Sequence, residues 1–234
     1  MLIPEYKSIF VHIPKTAGQS IENYLLNKFK KNRDSDGENY LLCPNDNSNK
    51  GPERLAHLTA TDYVKFTYIS EKEFEKYFKF SIIRNPWARV VSFYKFRGFN
   101  NLLSFNRFEN RYLPEYFEKE YWFFRPQTDF IFDDNENLVV DFVGSFESLD
   151  KDFNSIAEKM NIPFSKLPFD NVSEGKKIIS RKNFNLIKKH PEALTHLNFF
   201  KTEDKDYKEL YNSTSKEIVK KLYERDMDLL KYKY

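Results

Sequence analysis

With 234 residues, 40% of them apolar and 31% charged, the chain is long enough to bury a core without covalent staples. Its one cysteine, Cys43, excludes an internal disulfide and a cysteine-rich zinc site, and no apolar run reaches the roughly 18 residues that a bilayer-spanning helix needs. A net charge of +3, from 38 basic and 35 acidic residues, is too balanced to point to nucleic acid.

The N-terminal stretch MLIPEYKSIFVHI lacks a basic segment leading into a long apolar one, so no secretory signal and a cytoplasmic location are expected. Residues 7–12 read as a short apolar strand and 13–19 as a turn of small residues. Residues 20–31 follow as a helix, because Ile21, Tyr24, Leu25 and Phe29 share one face. Glu22 near its start and Lys28, Lys30 and Lys31 near its end suit the helix dipole. Residues 32–53, polar and turn-rich, read as a mobile loop.

A helical stretch over 70–78 precedes a second strand, Phe80 to Ile83. Asn85 then caps a helix with Pro86 at its first position, and Trp87, Val90, Val91 and Tyr94 form its apolar stripe. Residues 98–125 are aromatic and basic without clean periodicity. Leu138 to Phe146 reads as a third buried strand, and 148–160 as a helix with Leu149, Phe153, Ile156, Ala157 and Met160 on one side. Residues 163–212 are irregular, and Thr214 with Glu217 predicts a capping box opening a last helix through Leu230. The alternation of strand and helix, with no internal repeat, predicts one α/β domain over 1–234: a mainly parallel central sheet flanked by helices.

In such sheets ligands bind beyond the carboxyl ends of the strands, where two informative loops lie. The first reads His12-Ile13-Pro14-Lys15-Thr16-Ala17-Gly18-Gln19-Ser20. A strand entering a helix through small residues exposes backbone N–H groups to an anion. Lys15 adds charge at the rim, and Thr16 and Ser20 add hydroxyls. The lysine precedes the glycine, so this is not the nucleoside-triphosphate loop GxxxxGK[ST]. An ordinary strand-to-helix turn with a solvated lysine fits the composition equally well. In the second loop, Arg84 ends a strand and Ser92 lies about two turns into the next helix. Arginine suits a two-pronged grip on a phosphate, although a carboxylate partner for Arg84 and a packing role for Ser92 are also open.

Taken together, HIPKTAGxS after the first strand and IRNPxxRxxSxY after a later one resemble the two cofactor signatures of sulfotransferases that use 3′-phosphoadenosine 5′-phosphosulfate (PAPS). The carbohydrate sulfotransferase branch, with heparan sulfate 2-O-sulfotransferase and microbial relatives, is the most similar. Weaker matches are Arg125-Pro126-Gln127, the stretch from Asp141 to Glu147, and His196-Leu197-Asn198. The resemblance implies a P-loop-like fold in which Pro14, Lys15, Thr16, Ala17, Gly18, Gln19 and Ser20 hold the 5′-phosphosulfate, while Arg84 and Ser92 hold the 3′-phosphate. It implies a hydroxyl acceptor, most naturally on a carbohydrate, PAP as product, and no metal. Golgi members carry a membrane anchor and lumenal disulfides, and their setting is not expected here.

Lys15 is placed to stabilise charge on the departing nucleotide. His57, in HLTATDY, resembles a histidine near the acceptor, and histidine suits base work near neutral pH; a packing role is the bland alternative. His12 reads as structural. A nucleotide kinase and a PAP- or anion-binding module without turnover are the rival functions. Asp133-Asp134-Asn135 reads as an acidic turn, and Asn171-Val172-Ser173 and Asn212-Ser213-Thr214 match glycosylation sequons. Arg97, Arg107, Arg111 and Arg125 around Trp122, Phe123 and Phe124 fit either an acceptor surface or an ordinary amphipathic one.

Overall fold

Short buried apolar runs pair where both faces of a sheet are covered. In the computed structural model, which describes residues 1–164, 166–167, 181–192 and 206–234, four strands form a sheet in the order β1-β2-β3-β4. They are Leu2–Ile3 (β1), Ser8–Val11 (β2), Phe78–Ile83 (β3) and Phe142–Ser145 (β4). β2, β3 and β4 run parallel, and β1 pairs with β2 antiparallel. The α/β class with a mainly parallel sheet is therefore the fold the chain adopts.

The longer helices among the described residues are Gly18–Lys28 (α1), Pro86–Phe96 (α2), Leu113–Lys119 (α3), Leu149–Lys159 (α4), Arg181–Lys189 (α5), Ser213–Leu222 (α6) and Glu224–Leu230 (α7). None of the helices described is long and apolar enough to cross a membrane. The chain packs as two compact units, Met1–Arg84 with Arg125–Asn171 and Asn85–Phe124 with Val172–Tyr234.

The first unit carries the sheet. Ile21, Tyr24 and Leu25 of α1 and Phe153, Ile156 and Ala157 of α4 share its core with Phe10, Phe80 and Ile82. Residues 32–53 are more structured than their polarity suggests. Tyr40, Leu41 and Leu42 are buried, the Tyr40 hydroxyl donates to the Glu5 carboxylate at 2.6 Å, and Pro44 bridges to Arg54. These three apolar side chains pin a segment most of whose other residues are exposed or half-buried. The third strand is shorter than expected: Leu138 is 49% exposed, and β4 starts only at Phe142. Asp141 ends the pairing upstream, its carboxylate accepting from the Lys79 backbone N–H at 2.7 Å and pairing with the Lys79 ammonium at 2.9 Å. Asp133 accepts from the backbone N–H groups of Asn135 and Asn137, which makes 133–137 the acidic turn expected.

The second unit opens at Asn85, whose side chain accepts from the N–H groups of Trp87 and Ala88, as the sequence predicts. Residues 98–124 have no clean period because the helical run Phe105–Lys119 is interrupted by a π turn at Phe108–Tyr112 before α3 and is flanked by short turns. Their rings, including Phe99, Phe108, Tyr112, Tyr116 and Phe124, form an aromatic core with Phe93 and Tyr94 of α2. Arg97 pairs with Glu120 and lies over the Phe123 ring at 5.0 Å, while Arg125 belongs to the first unit and pairs with Asp129. The last helix is capped by Asn212, not Thr214: Asn212 accepts from the Ser215 N–H at 2.9 Å, and the Ser215 hydroxyl accepts from the Asn212 N–H at 2.8 Å. It also breaks at Tyr223, whose hydroxyl donates to the Phe124 carbonyl at 2.8 Å. His196 and the sequon at 171–173 lie outside the described residues.

Candidate functional site

The carboxyl ends of β2 and β3 lie side by side, so the loops that leave them share one end of the sheet. The first loop turns through two non-glycine residues with positive φ, Lys15 at 70° and Ala17 at 73°, directly before the first turn of α1. Such residues cost roughly 1–3 kcal/mol each and persist where the surroundings fix them. A turn of this kind running into a helix N-terminus presents backbone N–H groups to an anion.

The loop is braced from within. Thr16 is buried, and its hydroxyl donates to the Ile13 carbonyl at 2.9 Å, so that hydrogen stabilises the turn. Pro14 and Ser20 are buried, Lys15 and Ala17 half-buried, and Gln19 exposed. Gly18 is required by close approach: a Cβ there would meet the His12 ring at 1.9 Å. The His12 imidazole therefore lies flat under the start of α1.

Two charged side chains that the sequence did not group with it, Glu22 and behind it Arg33, hold that imidazole. His12 Nδ1 lies 2.5 Å from Glu22 Oε1, and the other Glu22 oxygen accepts from Arg33 at 2.7 Å. Burial disfavours the charged Glu22 carboxylate, but His12 and Arg33 outweigh it and hold the carboxyl down to about 2. Position 22 suits the helix dipole on paper, yet its side chain is buried under the sheet end. Only the i to i+4 step from Gly18 to Glu22, which stacks both over one helix face, hinted at this.

His57 packs against His12, ring centroids 4.5 Å apart and nearly perpendicular. Its Nδ1 lies 3.0 Å from the His12 carbonyl oxygen. A carbonyl only accepts, so Nδ1 carries the hydrogen and Nε2 the lone pair in the neutral ring. Burial, and secondarily the charge of His12, pushes the His57 pKa down to about 3, so the ring is neutral at physiological pH.

Arg84 ties the two loops together. Its guanidinium donates to the Lys15 carbonyl at 3.3 Å and lies over the Phe146 ring at 3.9 Å. The buried Gln127 amide clamps the Arg84 backbone on both sides, accepting from its N–H at 2.8 Å and donating to its carbonyl at 2.7 Å. This contact extends the strand's hydrogen bonding past its end and aims Arg84 at the first loop. The structure thus gathers Lys15, Gly18, His57 and Arg84 within the first unit, with His12, Glu22, Gln127 and Phe146 as their supports. Ser92 sits half-buried in α2 of the second unit. His190 is buried in that unit, its Nε2 3.1 Å from the Tyr116 hydroxyl. Among the described residues, no three His, Cys, Asp or Glu side chains gather as a metal site.

A family model described as "Sulfotransferase family" matches residues 1–233. An uncharacterized protein of Archaeoglobus fulgidus is 30% identical over 100 residues, which span 41% of this chain and 77% of that protein. No solved structure matches the chain. The match over essentially the full sequence, on a fold with a mainly parallel sheet, places the chain in the sulfotransferase family.

Proposed function

We propose that this protein moves a sulfuryl group from PAPS to an acceptor hydroxyl on a carbohydrate. The observation that carries the reading is the bond from Arg84 to the Lys15 carbonyl, which makes one surface of two loops that resemble the 5′-phosphosulfate and 3′-phosphate signatures. The positive-φ turn, the α1 N-terminus and Lys15 suit a group with negative charge. Ser92 is assigned to the 3′-phosphate by the resemblance.

PAPS supplies a sulfur centre joined to a good leaving group. Attack by the acceptor oxygen forms one S–O bond while the S–O bond to the nucleotide phosphate breaks, in line. The backbone N–H groups of Lys15 through Gly18 orient the phosphate, and Lys15 stabilises charge on the departing oxygen by a donated hydrogen bond. His57, neutral with its lone pair on Nε2, takes the acceptor proton. Negative charge bound nearby raises the His57 pKa from its depressed value, which makes the ring a better base when the site is loaded.

A thermal-shift titration tests the nucleotide assignment. PAP is expected to raise Tm more than AMP or ATP at equal concentration, because a tighter ligand stabilises the fold further. Equal shifts with PAP and AMP remove the 3′-phosphate from the reading, and a Mg²⁺-dependent preference for ATP favours a kinase.

A further inference from the structure

We propose that Phe146 is a positioning residue for 3′-phosphate recognition: its ring carries the Arg84 guanidinium and so sets how strongly the site prefers a nucleotide with a 3′-phosphate to one without it. The proposal rests on the assignment of Arg84 to that phosphate. The sheet register places the pair. Ile83 of β3 lies opposite Ser145 of β4, and Arg84 and Phe146 are the next residue on each parallel strand, so both leave the sheet at the same rung. The two are anchored separately. The Gln127 amide holds the Arg84 backbone at its N–H and carbonyl. The Phe146 ring packs on the core of the first unit. The turn that starts there is held by Ser145, whose N–H donates to the Asp152 carboxylate at 2.7 Å and whose hydroxyl accepts from the Glu147 N–H at 3.2 Å.

The contact between them is direct. The central carbon of the Arg84 guanidinium lies 3.9 Å from the centre of the Phe146 ring, against 4.9 Å for Arg89 over Phe93 and 5.0 Å for Arg97 over Phe123. So short a distance puts the cation over the ring face, where the aromatic quadrupole is negative, because an approach in the ring plane would meet the edge first. A ring under a guanidinium holds its plane without using its N–H donors, whereas a carboxylate at the same place would take donors and cancel the charge. The bond to the Lys15 carbonyl, at 3.3 Å, fixes one point of the head, and the Gln127 clamp acts on the backbone, several rotatable bonds away. The ring fixes the plane. A two-pronged grip on a phosphate depends on that plane being aimed. Loss of the ring therefore weakens a nucleotide that carries the 3′-phosphate more than one that lacks it.

The test is calorimetric titration of the full chain with PAP and with AMP, which has no 3′-phosphate. It compares wild type, Phe146→Leu, Phe146→Tyr, Arg84→Ala and the double variant of Arg84→Ala with Phe146→Leu. The readout is the ratio of the two affinities, which a loss of packing alone does not move, since it weakens both nucleotides alike. Phe146→Leu keeps an apolar side chain on the core but removes the ring, and should lower the preference for PAP roughly 3- to 10-fold. Phe146→Tyr keeps the face and should stay within about twofold of the wild type. In the Arg84→Ala background, Phe146→Leu should change the ratio no further, because the group that the ring carries is gone. Phe146→Met, also without a ring, carries the test if Phe146→Leu does not fold. A folded Phe146→Leu with the wild-type preference, in a protein whose preference Arg84→Ala lowers, overturns the proposal and leaves Arg84 on the 3′-phosphate. The same loss with and without Arg84 overturns it too. An Arg84→Ala variant that prefers PAP as the wild type does removes Arg84 from the 3′-phosphate, and the proposal falls with that assignment.

Discussion

His57 and Arg84 show what burial does to residues whose chemistry the sequence already suggests. An imidazole with an ordinary pKa loses activity as it protonates just below neutrality. Here burial shifts protonation down to about pH 3, so no histidine limb is expected in the free-enzyme pH–rate profile between about pH 5 and 8. NMR titration of His57 checks this directly: the ring should stay neutral at about pH 5 and should titrate higher with PAP bound. A midpoint near the usual 6.5 without ligand contradicts the burial argument. On the proposed 3′-phosphate assignment Arg84 supplies a charge-assisted grip worth about 1.5–3 kcal/mol, so Arg84→Ala should weaken PAP roughly tenfold or more by calorimetry. Its bond to the Lys15 carbonyl adds a smaller loss shared with AMP. Equal losses for both nucleotides would make Arg84 a brace for the loop alone. Lys15 and Arg84 stood out as candidates because their motifs follow strands, and His57 only through the resemblance. Glu22, Arg33 and Gln127 did not, since each acts across 10 to 43 positions of chain, a separation that no local pattern records.

The strain in the first loop and the helix it feeds are a single device at the level of elements. Ala17 holds φ at 73° without being a glycine, and Gly18 is a glycine because His12 occupies its Cβ position. Ala17→Gly should therefore raise stability by about 1 kcal/mol by relieving the left-handed backbone, read as a small increase in Tm. Gly18→Ala should cost about 1–3 kcal/mol by overpacking and should lower PAP affinity as the ring and the loop are pushed apart. Similar Tm values for Gly18→Ala and wild type would show that the loop relaxes without cost. β2, β3, β4 and α1, α2 and α4 were readable from apolar spacing within a few residues, whereas the two-residue β1 at the start of the chain was not predicted. The interrupted helices over 98–124 were not readable, because a π turn shifts their period and packing of aromatic rings organises them. The cap of α6 was misplaced by two residues, since Asn212 and Ser215 satisfy each other's N–H groups and leave Thr214 with no capping duty.

For the molecule as a whole, the two units respond to pH with opposite sign. In the first, His57 binds its proton in the unfolded chain near pH 6.5 but in the folded state only near 3, so stability falls as pH drops through that window. In the second, burial pushes the Glu109 carboxyl up from 4.5 to about 7, with the Ser215 hydroxyl opposing. The folded state then holds a proton that the unfolded state has lost, and stability falls as pH rises from about 4.5 to 7. Glu109→Gln should raise Tm at about pH 8 and leave it nearly unchanged at about pH 4, whereas a destabilised variant at pH 8 would show that the carboxylate is satisfied in place. These responses bear on the chain's integrity; its chemistry is decided by whether sulfur moves. The direct measurement is incubation of the purified protein with sulfate-labelled PAPS and a panel of glycans, followed by mass spectrometry of the acceptors. The expected result is a labelled sulfate on a glycan hydroxyl with equimolar PAP released, abolished by Lys15→Ala and reduced roughly 10²–10⁴-fold by His57→Ala. PAP bound tightly with no labelled acceptor and no PAP released from PAPS would contradict transfer and leave a nucleotide-binding module in its place.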